Sequence, residues 1–188
     1  IKSVEYTDGK IVFTVPETFR EGNAVIAAKN SSGTILWSWH IWLTDKPAEH
    51  TYPNLDVMMD RNLGATSSAV SSVGALGLLY QWGRKDPFLG SSSVSSSVEA
   101  MSTGAQWPAP VQTSSTRGTV NYTIANPMLY IYGSENNEYD WHYSYRNDQL
   151  WDASKTQYDP CPPGWRVPDY MVWAESGFLT DDFSSTAK

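Results

Sequence analysis

Apolar and polar positions alternate over the first 45 residues. The run KIVFTV (10–15) stops at Pro16. NAVIAAK (23–29) and TILWSWHIWL (34–43) flank Asn30-Ser31-Ser32-Gly33. Two β-rich runs around an Asn/Ser/Gly turn predict a hairpin, because Asn, Ser and Gly supply the side-chain bonds and positive φ that tight turns need. In the last run Ile35, Trp37, Trp39 and Ile41 share one face, and Leu36, Ser38, His40 and Trp42 the other. Period two predicts that the first set is buried. Three strands are too few for a closed domain. Residues 1–45 are therefore expected to complete a sheet with later residues, or to be the remnant of a preceding β-domain.

After residue 45 the pattern loses its period. Residues 46–56, polar with two prolines, read as a linker, and VMMDRNL (57–63) as a short strand. LGLLYQWG (76–83) has the marks of a helix closed by Gly83, since glycine commonly follows a helix end. Ser/Thr-rich loops fill 66–73 and much of 91–119. VNYTIANPMLYIYG (120–133) reads as an extended stretch broken at Asn126-Pro127. Near the end, Asp169 is a good N-cap for a short helix over 170–176, with Gly177 just past it.

Composition narrows the partners. The chain has 188 residues, a formal charge of −7 and no basic stripe. Nucleic acid and anionic membrane surfaces are excluded on that ground. No apolar run reaches the ~20 residues of a membrane-spanning helix. A first residue Ile1, in place of Met, reads as a processing boundary. Nine Trp and 11 Tyr supply ample core and also material for a sticky surface. The lone Cys161 excludes an internal disulfide framework. His40, His50 and His142 lack zinc-ligand spacing. Asp56, Asp60 and Asn62 offer oxygen donors without the spacing of a calcium loop. No cofactor is expected, and calcium has no motif behind it.

Three stretches carry candidate chemistry. In WGRKDPF (82–88), Trp82 and Phe88 are expected in the core, with Asp86-Pro87 turning the chain. Cys161, between Pro160 and Pro162, has no His near it in sequence to act as a base and reads as structural or as half of a disulfide. NNEYDWHYSYRNDQLWD (136–152) is the candidate binding stretch. Tyr139, Trp141, Tyr143, Tyr145 and Trp151 give rigid contact area, while Asp140, Arg146, Asn147 and Asp148 give adaptable hydrogen bonds. Sugars suit such a mixture, because their C–H faces stack on rings while their hydroxyls pair with carboxylates and amides.

Five phrases in this order carry a resemblance: GNAVIAAKNSSGTILWSWHIWLTD (22–45), MDRNLGATSS (59–68), GLLYQWGRKDPF (77–88), NPMLYIYG (126–133) and KTQYDPCPPGWRVPD (155–169). Together they resemble Bacteroidetes surface and fimbrillin-associated proteins with a Fibrobacter succinogenes major paralogous domain. The resemblance covers roughly 22–177. It implies an α+β chain in which a β-rich segment over 1–45, Ig-like or the end of a fimbrillin-like β-domain, precedes a C-type-lectin-like domain over 57–188 with long loops and a short C-terminal helix. Trp82, Asp86, Phe88, Cys161, Trp165 and Trp173 would be its structural positions. The family continues into final strands and a second Cys that this sequence lacks, so the domain is expected to be incomplete. The Glu-Pro-Asn and Trp-Asn-Asp triplets of calcium-dependent sugar binders are absent, and RNDQLWD (146–152) only echoes the second.

The function implied is a non-enzymatic, exported adhesion or fimbrial-tip module at the cell surface, binding a glycan or protein through its loops. A structural subunit of a surface fimbria, joined to other subunits by strand exchange, is the alternative. An enzyme of the formylglycine-generating type ranks below both, because those enzymes use paired cysteines.

Overall fold

The computed structural model describes residues 1–52, 57–89, 107–144, 147–169 and Val172. The expected helix over 170–176 with Trp173, the Ser-rich residues 91–106, and Tyr145 and Arg146 lie outside the described residues, apart from Val172. Asp169 Oδ1 accepts the Val172 N–H at 3.3 Å, the bond expected of an N-cap residue.

The fold is β-rich, with short strands in small sheets and little helix. Among the described residues each sheet has two strands. Strands β1 (Ser3–Thr7) and β2 (Lys10–Thr14) pair antiparallel around Asp8-Gly9. Both turn residues have positive φ, 52° and 75°, the geometry that matches the twist of a two-residue hairpin. Strands β3 (Gly22–Lys29) and β4 (Ile35–Leu43) form the longer hairpin, with a register shift at Ala28/Lys29. Its turn is closed by the Asn30 side chain, which accepts from Ser32 N at 3.1 Å and Thr34 N at 2.9 Å.

The region expected as a linker contributes a strand of its own. β5 (Glu49–Thr51) pairs antiparallel with β6 (Val57–Met59), and Asp60 N donates to Ala48 O at 2.9 Å to extend the ladder. Farther on, β7 (Val111–Gln112) and β8 (Ile131–Tyr132) pair in parallel. Parallel neighbours need a crossover, and α1 (Val120–Ala125) supplies it. The extended stretch expected at 120–125 is thus a helix. Thr119 caps it by accepting the Tyr122 N–H at 3.2 Å, and this outweighs the β preference of Val, Tyr, Thr and Ile.

The helix expected over 76–83 does not form. Gly77 and Gly83 both take positive φ, and Leu79 pairs with Phe88 in an antiparallel bridge. A Cβ on Gly83 would stand 2.8 Å from Leu150 Cδ1, so the chain there runs too close to the core for another residue. The core itself is Leu129, Ile131, Trp141 and Leu150, with Val111, Val120, Tyr122 and Tyr158 packed against it.

The faces of β4 also depart from expectation. Trp39 is 38% exposed, whereas Ser38 on the opposite face is 1% exposed. Neither face is wholly covered: Leu36, on the same face as Ser38, is 56% exposed, while half-buried Trp37 on the first face packs on Tyr158 with ring centroids 6.0 Å apart. The second face is held through its polar groups. Trp42 Nε1 donates to Ala65 O at 2.9 Å, and Asn23, opposite it on β3, donates to Gly64 O at 2.8 Å.

Candidate recognition surface

Arg84 is the polar centre of the fold. It is 2% exposed and its guanidinium lies 4.9 Å from the Phe88 ring centroid. It donates to Gln81 Oε1 (2.7 Å) and Leu129 O (2.9 Å), and at 3.3 Å to Asn126 O and Pro127 O. The chain leaving α1 is thus held by one planar cation, a geometry lysine cannot reproduce. Gln81 bonds both backbone groups of Ile131, donating to its O at 2.6 Å and accepting its N–H at 3.3 Å. A side chain here does what a third strand would do for β8.

On this base sits the loop 134–143. Asn137, 7% exposed, accepts Ser134 N at 2.7 Å and donates to Asp140 O at 2.5 Å. Tyr139 N returns to Ser134 O at 2.8 Å. Asp140 Oδ1 accepts His142 N at 3.0 Å. Trp141 is 3% exposed and donates from Nε1 to Trp82 O at 2.6 Å, pinning the loop to the block 82–88. Gly133 is required beneath it, because a Cβ would lie 2.3 Å from Asp140 O. Glu138 and Tyr139 are consecutive non-glycine residues at positive φ, 52° and 62°. Such residues cost on the order of 1–3 kcal/mol each and persist where surrounding bonds over-determine them.

The candidate residues separate into two groups. Tyr139 is 70% exposed and Tyr143 is 52% exposed, whereas Trp141 is core. Asn147 and Asp148 open a 3-10 turn over Asp148–Leu150 that places Leu150 in the core. Half-buried Trp151 donates to Tyr158 O at 2.9 Å and packs on Trp82, centroids 4.9 Å apart at 59°. Trp82, expected in the core, is 44% exposed, while Phe88 and Asp86 are buried. The half-open Trp82–Trp151 pair and the Tyr139 loop both attach through Trp141 and Trp82. Trp165 is half-buried in the turn after Pro162, whose O accepts its N–H at 3.0 Å.

The sequence reading missed Gln81, Asn137, Lys155 and Asp159. Asp159 is 7% exposed and accepts Cys161 N and Val167 N, both at 2.8 Å, so one carboxylate organises the proline-rich turn. Lys155 Nζ joins it at 2.9 Å and donates to Cys161 O at 2.6 Å. The Ser134–Asn137 spacing of a capping box was the one legible signal among these.

Two further clusters resemble catalytic sets. Ser38 Oγ donates to Asp86 Oδ1 at 2.5 Å and accepts from Lys85 Nζ at 2.5 Å, while Lys85 also reaches Asp86 Oδ1 at 2.8 Å. The hydroxyl is sealed from solvent, so no substrate can reach it in this conformation, and the trio clamps the β3–β4 hairpin to the block 82–88. Cys161 lines an open groove of ≈ 340 Å3 with His40, Trp42, Asp45, Pro47 and Pro162. Burial pushes its thiol up to about 12, with Asp159 adding to the rise and Lys155 opposing it. Burial holds His40 down at about 4, against the pull of Asp86. Asn23 Oδ1 can only accept, so His40 Nε2 donates to it at 2.8 Å and Nδ1 takes the Tyr80 hydroxyl at 3.0 Å. Both ring nitrogens of His40 are used, so it does not serve the thiol as a base, and the thiol pKa is raised where a nucleophile needs it lowered.

Among the described residues no group of three or more His, Cys, Asp or Glu could hold a metal ion. No family model, no curated protein and no solved structure matches the chain.

Proposed function

We propose that the protein is a surface recognition module of adhesin type. Its ligand, a glycan or a protein, would contact Tyr139 and the Trp82–Trp151 pair. One observation carries this reading: Tyr139 is 70% exposed although its backbone sits at a φ of 62°. Folding gains little from exposing an aromatic ring on a strained residue, and strain held in place by surrounding bonds is a mark of binding sites. The half-open indole pair adds flat apolar area, which suits sugar C–H faces or the anchor residues of a protein partner. An exported, cell-surface location and a C-type-lectin-like α+β architecture with long loops belong to the same proposal. Self-bonded loops on short strands support it.

The test is binding to a glycan array and to host matrix proteins, by the parent chain and by Tyr139→Ala and Trp82→Ala. Loss of at least about tenfold in affinity, with thermal midpoints within a few degrees of the parent, is the expected result. A parent chain that binds nothing on either panel sinks the proposal.

The alternative, a structural fimbrial subunit linked by strand exchange, draws support from a separate observation. Each sheet among the described residues has two strands, so the β1–β2 and β3–β4 hairpins have no strand on their outer edges, and such edges are templates for added strands.

A further inference from the structure

No residue between 1 and 20 is buried, and only Ser3 and Ile11 are even half-buried. The β1–β2 hairpin is nonetheless amphipathic. The cross-strand pairs Val4↔Phe13 and Tyr6↔Ile11 place four apolar side chains on one face. Ser3↔Thr14, Glu5↔Val12 and Thr7↔Lys10 lie on the other. Tyr6 is 77% exposed and Val4 46%. A two-stranded hairpin is marginal by itself, and three or more strands with an apolar face are needed for independent stability. Among the described residues no third strand joins this one.

We infer that the missing strand is β2 of a second copy, paired antiparallel about a two-fold axis through Val12. Hydrogen bonding selects the register. With a two-residue turn, the pair beside the turn is hydrogen-bonded within the hairpin and the pairs alternate from there. Ile11 and Phe13 therefore aim their N–H and C=O groups outward. Centring on Val12 uses all of them, setting Ile11 against the partner's Phe13 and Phe13 against the partner's Ile11. The whole of β2 is then matched, with Lys10 opposite the partner's Thr14.

Charge selects the edge and the region. The same operation on β1 would centre on Glu5 and place two carboxylates directly opposite one another, which is destabilising. Across β2 no like charges meet. In residues 1–16, Lys2 and Lys10 balance Glu5 and Asp8, so the formal charge of −7 arises entirely beyond them. Two acidic copies therefore meet with least repulsion at this hairpin. The union makes a four-stranded sheet, doubles its apolar face and adds the cross-strand Ile–Phe pairs that stabilise sheets.

The geometry sets the test. On the axis, the two Val12 residues form a non-hydrogen-bonded pair with Cα atoms about 4.5 Å apart, within disulfide reach. In a Cys161→Ser background, Val12→Cys is expected to convert mostly to a covalent dimer under mild oxidation, and Glu5→Cys to stay monomeric. Sedimentation equilibrium of the parent chain is expected to show a concentration-dependent dimer. Phe13→Pro, which removes an outward N–H that the hairpin itself does not use, should weaken that dimer at least tenfold. A parent chain that remains monomeric overturns the inference. So does a dimer that Phe13→Pro leaves intact, or crosslinking that is equal at positions 5 and 12.

Discussion

Ser38 and Asp86, 48 positions apart, share a buried 2.5 Å hydrogen bond. This bond and the Lys85 ammonium beside it join the β3–β4 hairpin to the block 82–88. Removing one partner of a buried charged network leaves the others desolvated, at a cost of about 3–5 kcal/mol. Lys85→Met should therefore lower the urea midpoint sharply. Ser38→Ala should cost less, about 1–3 kcal/mol. The two losses should fall short of additive in the double variant, because both act on one carboxylate.

His40 predicts a loss of stability in mild acid. Its pKa is lowered to about 4 from 6.5. Between those values the unfolded chain binds a proton that the folded chain refuses, so stability is full above pH 6.5 and falls as pH drops towards 4. From pH 7 to pH 5 the loss should be on the order of 1–2 kcal/mol. His40→Gln cannot titrate, and its unfolding free energy should be nearly flat over the same range in urea titrations. An equal slope in both chains would assign the effect to other groups.

The Cys161 thiol should be inert while the protein is folded. With its pKa pushed up to about 12, almost no thiolate exists at pH 8. Alkylation by iodoacetamide should be roughly a thousandfold slower in the native protein than in urea. Comparable rates would show that the groove opens readily.

Tyr139→Gly should separate stability from binding. Glycine takes a φ of 62° without steric cost, and the ring it removes is largely in solvent. Stability should rise by about 1 kcal/mol while affinity for any ligand of the loop falls. A loss of stability would mean that the ring contributes to folding after all.

Arg84→Lys should be severe despite keeping the charge. An ammonium cannot span the carbonyls of Asn126, Pro127 and Leu129 together with Gln81. The unmet acceptors should cost about 3 kcal/mol or more, visible as a lowered Tm.

The β3–β4 hairpin was legible in the sequence because its turn chemistry and its alternation point the same way. The helix α1 was not. Its β-branched residues argue for a strand, and the deciding contribution, the Thr119 cap with Arg84 holding the chain beyond, comes partly from 35 or more positions upstream. Glycines misled at 76–83, where Gly83 marks a close approach to Leu150 and not a helix end. The surface aromatics were found as a group, yet Trp141 and Tyr139, two residues apart, ended in the core and in solvent. A loop without periodicity gives no face from which to tell such neighbours apart.

The way Gln81 stands in for a strand beside Ile131 bears on how freely the sequence can vary. A ladder bond between backbones survives almost any replacement of the side chains on either strand. A tie made by one amide, one guanidinium or one carboxylate does not. In a saturation mutagenesis screen read out by folding, Gln81, Arg84, Asn137 and Asp159 should tolerate as few replacements as Ile131. Exposed Trp39, on a paired strand, should accept most.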